Sequence, residues 1–63
     1  MLIGTDNLLL NVNDMEVVRY YEVGNTMFLE IIMQSGYAHS FMKEQAESLK
    51  KKIWEEAEFV TIF

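Results

Sequence analysis

The chain has 63 residues, no cysteine, no proline and one histidine, and ten acidic against five basic residues give a formal charge of −5. A chain this short forms one domain over 1–63 and buries only about 60% of its unfolded surface. With no cysteine staple and too few ligands for a metal, association of copies is the expected source of added stability. The acidic balance opposes nucleic acid and anionic membrane surfaces.

From the N-terminus, Met1 to Asp6 lacks the basic and continuous apolar regions of a secretory signal, so a cytoplasmic location is expected. The apolar run Leu8-Leu9-Leu10 is far shorter than the roughly 20 residues of a bilayer span, and no membrane span is expected. It opens a first strand over about 8–12, which ends at the turn-forming pair Asn13-Asp14. A second strand, about 15–23, is rich in β-branched and aromatic residues and stops at Gly24-Asn25, a two-residue hairpin signal. The third strand, about 26–34, reaches Ser35-Gly36, read as another two-residue turn into a fourth strand over about 37–41.

After Gly36 and the short fourth strand the period changes. Met42, Ala46, Leu49, Ile53, Ala57 and Val60 recur at spacings of three or four, which predicts an amphipathic helix over about 42–59 with Ser40 placed near its N-cap. The fold class is therefore α+β, a four-stranded antiparallel β-meander followed by one C-terminal amphipathic α-helix packed on one sheet face (ββββα). In element order it resembles the sheet-plus-C-terminal-helix design of many small bacterial and phage proteins, including a shortened pleckstrin-homology-like unit.

Turn lengths then assign faces. A two-residue loop at Gly24-Asn25 pairs Val23 with Thr26, Tyr21 with Phe28, Arg19 with Glu30 and Val17 with Ile32 on one face. Two-residue turns at Ser35-Gly36 and Asn13-Asp14 put Tyr37, His39, Phe41, Leu8, Leu10 and Val12 there too, and the helix covers the other face. An apolar outer face of Leu8, Leu10, Val12, Val17, Tyr21, Phe28, Ile32, Tyr37 and Phe41 exceeds what a monomer leaves bare. These residues, with Phe63 from the apolar C-terminal end, form the candidate oligomer interface.

No catalytic, cofactor or metal set emerges. One histidine cannot complete a zinc site or a Ser-His-Asp triad, and no glycine-rich loop leads from a strand into a helix to cradle phosphate. Arg19, His39 and Trp54 are the candidate ligand or partner contacts. The chain is expected to be a small non-enzymatic protein-interaction module, acting as a homo-oligomer with a protein partner, of a regulatory or phage-type inhibitor kind. The alternative is a ligand-sequestering oligomer that takes a small molecule in pockets between chains, lined by Arg19, Tyr21, Tyr37 and His39. A further alternative is an acidic nucleic-acid mimic using Glu44, Glu47, Glu55, Glu56 and Glu58.

Overall fold

The structure, a computed structural model, describes residues 1–57. The order of elements is β1 (Leu2–Thr5), β2 (Leu8–Asn11), a 3-10 turn (Val12–Asp14), β3 (Met15–Val23), β4 (Thr26–Met33), β5 (Ala38–Met42) and α1 (Lys43–Glu56). The architecture is α+β, with two antiparallel sheets, β1-β2 and β3-β4-β5, and the helix packed against a sheet.

The β3–β4 hairpin has the register its loop demands. Gly24 adopts φ 62 and no positive φ occurs at Asn25, as a II′ turn requires of its first central residue. Val23 pairs with Thr26, Tyr21 with Phe28, Arg19 with Glu30 and Val17 with Ile32. The register then shifts between Met15 and Val17, where a bulge takes up Glu16.

The four-strand meander is corrected in two places. The first is the N-terminus: residues 8–11 pair with 2–5 rather than with β3, closing a hairpin across Asp6-Asn7. Asn13-Asp14 is part of a 3-10 turn, not a hairpin turn. The Asn11 side chain accepts the Asn13 backbone N–H at 3.0 Å, so the chain bends away before it can pair. The Gln34 backbone N–H donates to the Asp14 carbonyl oxygen at 2.8 Å and ties this bend to the far end of β4.

The second correction is the loop between β4 and β5. It has three residues, Gln34-Ser35-Gly36, closed by the Met33 N–H on the Tyr37 oxygen and the Gly36 N–H on the Met33 oxygen, each 2.8 Å. Gly36 adopts φ 90, the left-handed residue that ends such a loop. One residue more than expected inverts the strand that follows. Phe41 pairs with Leu29 and His39 with Ile31, on the helix side, while Ala38, Ser40 and Met42 face outward.

The core lies between the inner face of β3-β4-β5 and a cover made of α1 and the β1-β2 hairpin. Leu29 and Ile31 of the central strand are fully buried, joined by Phe41, by Ala46, Leu49 and Ile53 of the helix, and by Ile3 and Leu10 of the hairpin. Those three helical positions lie on one face of a 3.6-residue period. The hairpin thus shares work expected of the helix alone, with Ile3 and Leu10 buried in the same core as Ala46, Leu49 and Ile53.

Two helix boundaries differ from expectation. Ser40 lies in β5 and caps nothing; Met42 is the N-cap residue and provides no side-chain bond. The strand enters the helix with no loop because Lys43 takes φ 58, a left-handed conformation that costs a non-glycine residue about 1–2 kcal/mol. Lys43→Gly is therefore expected to raise stability by about 1 kcal/mol, read as a higher urea midpoint with an unchanged slope; a lower midpoint would contradict it. At the other end Ala57 is extended (φ −77, ψ 139), so the helix stops at Glu56. No basic residue sits in its last turn, and Glu55 and Glu56 oppose the helix dipole there. The expected extension to 59 falls outside the described residues.

Candidate interaction surface

Strand alternation sends Val17, Arg19, Tyr21 and Val23 of β3, Thr26, Phe28, Glu30 and Ile32 of β4, and Ala38, Ser40 and Met42 of β5 to the side away from the helix. None of these side chains is buried. The cross-strand partners form three rows: Tyr21-Phe28-Met42, Arg19-Glu30-Ser40 and Val17-Ile32-Ala38. A polar row thus runs between two apolar ones.

Each row has its own chemistry. The Tyr21 and Phe28 rings stack with centroids 5.6 Å apart and planes at 17°, a contact worth about 0.5–1.5 kcal/mol beyond area burial. Met42, 51% exposed, extends this row. In the middle row Arg19 Nε lies 3.5 Å from Glu30 Oε1, with the arginine largely in water. An exposed pair of this kind contributes at most about 1 kcal/mol, so its main effect is to orient charge on the face. At the strand spacing of about 4.8 Å the three rows cover about 300 Å², of which the two apolar rows make up about 200 Å², an apolar area that an ordinary monomer can leave exposed.

The expected interface residues separate into groups. Val17, Tyr21, Phe28 and Ile32 share the outer face. Leu10 and Phe41 are buried in the core, and Leu8 and Val12 pack against it, half-buried. They were displaced by the 2–5 strand and by the three-residue loop. Tyr37 is 70% exposed but lies beside β2 and His39, away from the rows above. Phe63 lies outside the described residues. Val23 and Met42 also belong to the outer face: Val23 is on the face the register predicts but stands outside the candidate interface set, and Met42 was assigned to the helix stripe. Counting alternation forward through a three-residue loop at Gln34-Ser35-Gly36 finds Met42.

Arg19, His39 and Trp54 are far from forming one site. Arg19 is on the outer face. His39 is on the inner face, half-buried, its ring 5.2 Å from that of Tyr37. Trp54 is on α1, 37% exposed, with Lys50 Nζ 5.1 Å from its ring and 5.4 Å from that of Tyr20. The pocket set of Arg19, Tyr21, Tyr37 and His39 is divided between the two sides of the sheet within one chain. Among the described residues no three His, Asp or Glu side chains converge as metal ligands would. Glu44, Glu47, Glu55 and Glu56 are exposed on α1, while Glu58 lies outside the described residues.

No known protein family, curated protein or solved structure matches this chain. No helix among the described residues is long and apolar enough to cross a membrane.

Proposed function

We propose that this protein is a small non-enzymatic protein-interaction module that works as a homo-oligomer and docks a partner protein on the outer face of β3-β4-β5. The observation that carries the docking reading is the outer face, uncovered among the described residues: two apolar rows with Tyr21, Phe28, Val17 and Ile32 on either side of the Arg19–Glu30 pair, opposite the core; the short, cysteine-free chain supports association of copies. Apolar and aromatic side chains supply binding energy, while the charged row sets register and excludes mismatched partners. A rigid sheet holds these groups in place before binding and so reduces the ordering cost.

Two measurements test the two parts. Molar mass by light scattering across a dilution series is expected to exceed the 7.4 kDa of a single chain; a monomer at every concentration removes the oligomer. A partner captured by the wild type should be lost with Tyr21→Glu and retained with Glu47→Lys on the exposed side of α1. Equal capture by both variants removes the outer face as the docking surface.

A further inference from the structure

The outer face is too small to join two copies by itself. At about 300 Å² on each side it falls well short of the roughly 1,200 Å² of total buried surface found in stable interfaces. β3 offers another route. It is the longest strand, nine residues, yet it sits at the margin of its sheet in the order β3-β4-β5. Among the described residues no strand pairs with its other side. Edge strands are normally blunted by proline, lysine or bulges. β3 has neither proline nor lysine, its one bulge is confined to the Met15–Val17 end, and its charges, Glu16, Arg19 and Glu22, include both signs, so an antiparallel copy can be registered without opposing like charges.

The backbone groups available on that edge follow from the hairpin. A two-residue loop closes on a hydrogen-bonded pair, so Val23 exchanges its bonds with Thr26, and by alternation Tyr21, Arg19 and Val17 also turn toward β4. Glu22, Tyr20 and Val18 therefore present N–H and C=O to the open side.

We infer that two copies join antiparallel through their β3 edges about a two-fold axis at Tyr20, giving a continuous six-stranded sheet. This rests on the homo-oligomer reading above and assigns its interface. Centring the axis on Arg19 would set Arg19 against Arg19 and Glu16 against Glu22, like charges that destabilise a pair. Centring it on Val18 runs the pairing into the bulge. At Tyr20 the pairs are Tyr20 with Tyr20, Val18 with Glu22, Arg19 with Tyr21 and Val17 with Val23, with no like charges opposed. About six backbone hydrogen bonds cross the axis. Glu22 of the second copy arrives on the helix side next to Tyr20, over which Lys50 already lies, and Arg19 meets the Tyr21 ring of the second copy. The two outer faces then merge into one surface of twice the area, broad enough for a protein partner.

The full chain has no cysteine, so single cysteines report the register cleanly. Arg19→Cys and Tyr21→Cys chains, mixed in a glutathione buffer, are expected to give the mixed disulfide well above its random share. Opposed residues of this type have Cα atoms about 4.5 Å apart, within disulfide range. Sheets stacked face to face stand about 10 Å apart and cannot form the bond. Chemical synthesis with an N-methyl group on Tyr20 removes one donor on the open edge and is expected to give a folded monomer by circular dichroism and light scattering. If the mixed disulfide stays at or below its random share while the protein remains oligomeric, and Tyr21→Glu dissociates it, edge pairing is overturned and the oligomer stands. A wild-type monomer at all concentrations overturns both. Slow amide exchange at Val18, Tyr20 and Glu22 in such a monomer would place another part of the chain on this edge.

Discussion

Leu29→Ala is expected to leave the protein largely unfolded at 37 °C. Leu29 is fully buried at the centre of the middle strand, flanked by Tyr20 on β3 and Phe41 on β5 and roofed by the helix. Removing a buried leucine to alanine costs about 2–5 kcal/mol in lost transfer energy and cavity. At about 0.05–0.15 kcal/mol per residue, a chain of this length has only roughly 3–9 kcal/mol in total. Urea and thermal unfolding followed by circular dichroism measure the loss, at one fixed protein concentration because association would shift the midpoint. Val23→Ala, on an exposed position of the same sheet, serves as the reference and should stay within about 0.5 kcal/mol. Equal effects of the two substitutions would mean that the core does not centre on β4.

Gly4→Ala is expected to be damaging as well, although the residue lies in a strand of only four residues. Gly4 pairs with Leu9, and a Cβ placed on it would collide with the carbonyl oxygen of Leu8. That obstacle is backbone and cannot rotate away, so the hairpin itself must shift. A cost of about 1–3 kcal/mol is expected from such overpacking, and more if Ile3 and Leu10 leave the core with it. The Gly24 and Gly36 positions contrast with this: there the space is open and the constraint is the positive φ. Thermal unfolding checks the magnitude, and the methyl resonances of Ile3 and Leu10 show whether the hairpin is displaced. An unchanged midpoint with unmoved methyl signals would contradict the close approach at Gly4.

The hairpin of β3 and β4 was legible because its turn is short and self-declaring. Gly24 supplies the positive φ, two β-rich runs flank it, and every cross-strand pair down to Val17–Ile32 follows by counting. The helix was equally legible from the spacing of Ala46, Leu49 and Ile53. The β4–β5 loop was not, since Ser35-Gly36 reads equally as the whole of a two-residue turn or as the end of a three-residue one. That single residue moved Phe41 from the outer face to the core and sent Met42 outward. The first strand also escaped notice: Leu2-Ile3-Gly4-Thr5 is short, and its glycine weakens a strand pattern that the Asp6-Asn7 turn would otherwise have marked.

The sequence by itself determined the α+β class, the central hairpin, the amphipathic helix, and the outer-face rows of β3 and β4, because each depends on contacts between near neighbours along the chain. Only the tertiary structure decided which side of the sheet each remaining strand serves. Competition for the inner face is the physical reason: Ile3, Leu10 and Phe41 join Leu29, Ile31 and the helix in one core, where their apolar surface is removed from water. What remains uncovered among the described residues, the outer rows and the outer edge of β3, is the residue of that competition, and no local pattern records it.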